Sequence, residues 1–277
     1  MSKNMLAVFA ASGNQGTFVA NFVSEDKNLS KLYTALEAKG EKLVQADLDD
    51  PSSLELALEG VKIVLCMTAT QFQGNTHEPF SLGVAYIVSS SMPHARKISN
   101  GELQIVDHFD DKAEIEQYIR SLPVKSAFFA PASFMQNVLS LFMRPVPSLA
   151  NEGTYLLANC ARGNTEMPFI DITEIGQWYE GKFFAGAGSI HTLDETADIA
   201  SRVTCKTVRH QQWSDEIFKQ CLPKNFREQL NEMWVLQWDY GCFGSQAKEL
   251  VDRAKDQIRG EVIGLEEFLV NRGYKLD

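Results

Sequence analysis

Short, nearly continuous apolar runs alternate along the chain with segments whose apolar positions recur every three to four residues. The runs at 5–10, 42–46, 62–67, 83–89 and 125–130 predict β-strands. The segments at 14–23, 29–39, 52–58 and 112–121 predict helices, and Asp49-Asp50-Pro51 before the third supplies an acidic start with proline in the first turn. Strands that are apolar at consecutive positions belong in a parallel sheet covered on both faces. Their alternation with helices predicts an α/β fold, a Rossmann-like doubly wound parallel sheet over residues 1–150. Beyond Leu149 the pattern changes. Short strands at 155–158, 169–172 and 183–185 precede helices at 193–203, 212–221, 225–240, 247–258 and 265–272, which predicts a smaller, mostly helical C-terminal domain over 151–277. Trp213, Trp234, Trp238, Tyr240 and Phe243 fall at helical spacing in this tail, which favours a core stripe over a ligand cage.

Composition narrows the picture. The 277 residues suit a large domain with a smaller companion. At 44% apolar and 22% charged they suit an ordinary packed core. No apolar run reaches the ~18–20 residues of a membrane span. The first residues lead into a strand without an apolar leader core, so a soluble cytoplasmic or nuclear protein is expected. A net charge of −10 repels a phosphate backbone and disfavours broad nucleic-acid binding, including through a helix-turn-helix in the tail. Five scattered cysteines without a C-x-x-C pair read as reduced thiols. The histidines lack metal-ligand spacing, and no G-x-S-x-G elbow points to a hydrolase.

Chemistry concentrates in two places. Val8-Phe9-Ala10-Ala11-Ser12-Gly13-Asn14-Gln15-Gly16-Thr17 follows a predicted strand and opens a predicted helix, the setting of a dinucleotide fingerprint. Backbone N–H groups at such a helix start can cradle a pyrophosphate. Gly13 would permit close backbone approach and Gly16 close packing of helix on strand, while Ala10 replaces the first glycine of G-x-x-G-x-x-G and puts a Cβ into the turn. A plain turn is the alternative. The second place is His108 and Lys112, four residues apart and so on one face if the segment is helical. Histidine can donate a proton near neutral pH. Alternatively Lys112 anchors a ribose and His108 is a pocket wall. Asp110, Asp111 and Glu114 read as acidic residues of a first helical turn. Gly186-Ala187-Gly188-Ser189 reads as a turn before a helix capped by Thr192 or Asp194, and His94, Arg96 and Lys97 as a solvated basic cluster on a loop.

Several unlinked motifs also stand in one order: Ala11-Ser12-Gly13-Asn14-Gln15-Gly16, Val44-Gln45-Ala46-Asp47-Leu48, Ser99-Asn100-Gly101, the run from His108 to Glu116, Phe134-Met135-Gln136-Asn137 and Pro168-Phe169-Ile170-Asp171-Ile172. Together they resemble the NmrA-like family, atypical short-chain dehydrogenases that bind NAD(P) on a Rossmann domain and include redox sensors, negative regulators of transcription and reductases. The resemblance implies that Gly13, Asn14, Gln15 and Gly16, with Ala10 and Ser12, line the pyrophosphate, and that Asp47 and Leu48 lie near the adenine. It places Thr68 beside the cofactor, Lys112 at the nicotinamide ribose, and Phe134 and Asn137 at the nicotinamide end. NADP, or NAD, is the implied cofactor, and a protein partner such as a transcription factor is implied for the regulatory members. Ordinary short-chain dehydrogenases move a proton with Tyr-x-x-x-Lys during hydride transfer; the resemblance puts His108 where that tyrosine would stand, and His-x-x-x-Lys is similar to the pattern of the regulatory members. The expected function is therefore a dinucleotide-binding sensor or regulator. The alternatives are an NADPH-dependent reductase of a small carbonyl or enone, with His108 and Lys112 as its tentative catalytic pair, and a Rossmann scaffold that binds no nucleotide. Relative to the family, three segments are short, at 24–41, 71–79 and 175–178.

Overall fold

The computed structural model describes residues 5–9, 44, 46, 50–67, 84–140, 143–178, 183–258 and 260–276. Strands β1 (Met5–Val8), β2 (Val61–Cys66), β3 (Tyr86–Ser90) and β4 (Lys125–Pro131) are followed by the short strands β5 (Ser133–Phe134) and β6 (Val146–Pro147). Then come β7 (Thr154–Asn159), β8 (Glu166–Ile170), β9 (Phe183–Gly186), β10 (Ser189–Thr192) and β11 (Thr207–Gln212). The helices are α1 (Pro51–Ala57), α2 (Ala95–Ile98), α3 (Asp107–Ser121), α4 (Leu193–Thr204), α5 (Asp215–Cys221), α6 (Arg227–Val235), α7 (Ala247–Lys255) and α8 (Leu265–Asn271). The fold is mixed α/β around a parallel sheet, as the apolar pattern predicts. Helices predicted at 14–23 and 29–39 lie outside the described residues, as does most of the strand predicted at 42–46; Val44 and Ala46 are in no strand.

The chain forms two compact units, each discontinuous in sequence: Met1–Met92, His108–Ala130 and Thr173–Phe184 in the first, and Pro93–Asp107, Pro131–Ile172 and Ala185–Asp277 in the second. The main sheet has the order β1-β2-β3-β4-β9, and β1 through β4 pair in parallel. Val64 and Cys66, on one face of β2, pack with Leu58 after α1. Ile115 and Ile119, four apart on α3, pack with Ile87 of β3 and Phe128 of β4. Helix α1 begins where the sequence signals it: the Asp50 carboxylate accepts from Ser52 N–H at 3.0 Å and Pro51 takes the first turn.

In the second unit β8 lies between β10 (antiparallel) and β5 (parallel), and β7 between β11 (parallel) and β6 (antiparallel). One core there gathers Phe169, Leu157, Leu193, Trp234 and Phe268. Of the aromatic stripe Trp234 and Phe243 are core, each 5% exposed, with Phe218 edge-on to Trp234, while Trp213, Trp238 and Tyr240 are half-buried. Four local expectations change. The helix predicted from 212 begins at Asp215 after a strand, and the helix predicted over 225–240 ends its last five residues as a π-helical turn, Leu236–Tyr240. His94, Arg96 and Lys97 belong to a short helix and its cap rather than a loop. Gly186-Ala187-Gly188-Ser189 joins two strands before Thr192 caps α4, and a Cβ on Gly188 would collide with the Ile263 carbonyl.

Candidate functional site

Open parallel sheets bind ligands outside the carboxyl ends of their strands. Two carboxyl ends lead into the predicted cofactor loops. Past β1, Phe9 N–H bonds to Leu65 O at 2.9 Å and the chain enters Ala10; past β2, buried Met67 precedes Thr68. Ala10, Ser12, Gly13, Asn14, Gln15, Gly16, Asp47, Leu48 and Thr68 themselves lie outside the described residues.

Helix α3 carries the described part of the site in the first unit. It ends at Ser121, four residues before β4 starts, so its last turn lies at the amino edge of the sheet. Its 15 residues rise about 22 Å and the seven of β4 about 23 Å, which brings the first turns of α3 to the carboxyl edge. His108 and Lys112 sit there on successive turns of one face, both half-buried. The His108 ring meets Phe109 edge-on, with centroids 4.9 Å apart. The helix starts five residues earlier than predicted, so Asp110 and Asp111 close its first turn and Glu114 stands in the second. Asp110 is buried at 4% exposure.

Two turns beyond His108 on the same face is Glu116. It accepts from Ser91 Oγ at 2.5 Å, one residue past β3, and from Arg120 Nε at 2.8 Å. The Arg120 guanidinium in turn covers the Phe128 ring at 4.3 Å. Ser91 is fully buried and its N–H bonds to Phe129 O at 2.8 Å. The chain Ser91–Glu116–Arg120–Phe128 therefore ties α3 to the end of β3 and the middle of β4. Ser91 had no sequence signal beyond its place after an apolar run.

In the second unit, Phe134 ends β5 and Asn137 lies in a 3-10 helix, Met135–Leu139. Met135 and Val138 are fully buried, whereas Phe134 and Asn137 are half-buried. Two sequence motifs meet here: Phe134 pairs with Ile170, Gln136 Nε2 donates to Asp171 Oδ1 at 2.6 Å, and Ile172 N–H bonds to Gln136 Oε1 at 3.3 Å.

A family model described as the NmrA-like family matches residues 2–269. The chain belongs to the NmrA-like family. An NmrA-like family domain-containing protein of Dictyostelium discoideum is 24% identical over 312 aligned positions that span both chains completely. With 277 residues here, that alignment carries gaps on this chain's side. Among solved structures, NmrA, a negative transcriptional regulator in complex with NAD, superimposes with a TM-score of 0.71 at 16% identity, covering 98% of this chain and 95% of that one. The NADPH-dependent quinone oxidoreductase QOR2 of Escherichia coli, complexed with NADPH, gives 0.72 at 19%, covering 97% and 99%. At these identities the NmrA-like chain shares the fold of both. Among its described residues no helix is long and apolar enough to cross a membrane.

Proposed function

We propose that this NmrA-like chain binds NADP or NAD on its Rossmann core and acts as a redox-sensing or transcription-regulating protein through a protein partner, in the cytoplasm or nucleus. Residues 1–150 carry the dinucleotide in this reading, and 151–277 form the cap. The donor chemistry fits such a ligand: a parallel sheet opens at its carboxyl edge, and the Lys112 cation stands within two helical turns of that edge. Solved relatives of this fold hold NAD and NADPH. The observation that carries the regulatory part is His108, which occupies the position where a proton-transferring tyrosine would precede Lys112 by one turn. Direct nucleic-acid binding is no part of the proposal, because the net charge of −10 opposes it.

Calorimetric titration of the full chain with NADP and with NAD tests the first part. Micromolar binding of either supports it, and silence with both leaves the nucleotide-free scaffold. A panel of carbonyl and enone substrates tests the second: steady NADPH oxidation overturns a purely regulatory role. That outcome favours the reductase reading, which the fold shared with the quinone oxidoreductase supports. Bound NADPH would supply the hydride, Lys112 would orient its ribose, and the His108 imidazole would give the substrate oxygen its proton. His108→Ala retaining full turnover would remove the histidine from that role.

A further inference from the structure

Helices α4 and α8 pack on one another in the second unit, where Leu193, Ala197, Leu265 and Phe268 join its core. An open groove of about 380 Å³ lies where the two helices end. Val203, Thr204 and Lys206 line one wall, and the other runs from Val270 to Leu276. This volume falls within the range of small-molecule sites. Tyr274 and Leu276 are buried and form the floor, Val203 packs against the core, and Val270, 59% exposed, stands at the rim. The groove therefore offers apolar surface from which a ligand would displace water.

The polar groups of the lining decide what fits. Thr204 Oγ1 donates to Ala200 O at 2.7 Å and Tyr274 O–H donates to Val138 O at 3.2 Å, so both hydroxyl protons are engaged within the protein. The end of α8 closes on its own backbone. Gly273, at φ 58°, gives its N–H to Val270 O at 2.9 Å, and Tyr274 N–H bonds to Leu269 O at 3.0 Å, the two bonds of a Schellman cap. Those carbonyls need no lysine. Lys206 and Lys275 are both exposed, and among the described residues neither is held by a carboxylate. Of the two acidic residues on α8, Glu266 is bound by Arg202 through bonds of 2.9 and 3.1 Å, and Glu267 lies outside the lining. What remains open to a ligand is an apolar trough with two ammonium groups, each a donor only, so the complementary ligand is an apolar chain ending in an anionic acceptor. We propose that this groove binds a small amphipathic acid, its acyl chain on Val203, Tyr274 and Leu276 and its carboxylate held by Lys206 and Lys275. The site is independent of the dinucleotide reading, because every lining residue belongs to the second unit.

Calorimetric titration of the full chain with octanoate tests this, with octan-1-ol and acetate as ligands that keep only the chain or only the charge. Octanoate is expected to bind with a dissociation constant of about 1 mM, and each of the other two at least about fivefold more weakly. Lys206→Ala and Lys275→Ala should each weaken octanoate about threefold, the scale of an exposed ion pair, and together about tenfold. Arginine at both positions keeps the charges and should bind within about twofold of wild type. Lys224→Ala, an exposed lysine outside the lining, should change nothing. All these side chains are exposed, so thermal unfolding should stay close to wild type. If the double alanine variant does not fold, Val270→Asp carries the test: it sets a carboxylate at the rim and should weaken octanoate about fivefold. Absence of octanoate binding to the wild type overturns the proposal. So does octan-1-ol binding as tightly as octanoate, or an affinity that survives loss of both lysines or the charge at Val270.

Discussion

Glu116 is half-buried, and two donors compensate its charge: Ser91 Oγ at 2.5 Å and the Arg120 guanidinium at 2.7–2.8 Å. Removing one donor leaves a carboxylate under-satisfied where water reaches it poorly. Ser91→Ala should therefore destabilise the protein by about 1.5–3 kcal/mol, the range for hydrogen bonds to charged groups, read as a lower urea midpoint at constant slope. An unchanged midpoint would mean that Arg120 alone satisfies the carboxylate. Histidines set a second residue-level dependence. Burial holds His210 and His191 below the usual imidazole pKa. His210 has Asn159 Oδ1 3.4 Å from Nε2 and the Asp194 carboxylate 3.7 Å from Nδ1, and the carboxylate opposes the burial effect without reversing it. For both residues the unfolded chain takes up protons at a higher pH than the folded one. Stability is then complete above the unfolded imidazole pKa of about 6.5 and declines as pH falls below it and through the folded one. The melting temperature should drop over that window, and His210→Gln should flatten the drop; a slope unchanged by the substitution would remove His210 as a source.

Helix α4 shows how much an element owes to its first turn. Thr192 Oγ1 accepts from Glu195 N–H at 3.1 Å and the Glu195 carboxylate accepts from Thr192 N–H at 2.8 Å, a reciprocal capping box. Thr192→Ala should cost about 1 kcal/mol, and the double variant with Glu195→Ala should cost less than the sum of the two, because each side chain completes the other's bond. Additive losses in chemical denaturation would show two independent contacts. This cap was legible in the sequence because its partners are three residues apart. So were β2 and β4, whose consecutive apolar residues suit a sheet buried on both faces. Strand Thr207–Gln212 was not legible. Only Val208 is buried in it, and it is held by parallel pairing with β7 and by Ser201 Oγ, which bonds to both Val208 N–H and O. The first turn of α3 was hidden because Asp107, Asp110 and Asp111 are poor helix formers that succeed at an N-terminus, where the helix dipole favours their charge. At the site the same distinction decides. Ser91 meets Glu116 across 25 residues, so no local pattern announces the contact.

Two compact units, each with its own buried cluster, make independent unfolding possible on the scale of the whole molecule. A ligand that binds only folded protein stabilises the unit that holds it, by about 2.7 kcal/mol at a hundredfold excess over its dissociation constant. For a unit of this size that corresponds to a melting shift of roughly 5–11 °C. The tryptophans give a built-in reporter, since Trp213, Trp234 and Trp238 belong to the second unit and Trp178 alone to the first. Fluorescence therefore weights the unfolding of the second unit, while amide exchange in β2, β3 and β4 follows the first. If the dinucleotide sits on the parallel sheet, saturating NADP should protect those strand amides and raise their unfolding temperature more than it raises the fluorescence transition. A larger shift in fluorescence would place the ligand in the second unit. Equal shifts in both probes would mean that the two units unfold as one cooperative body.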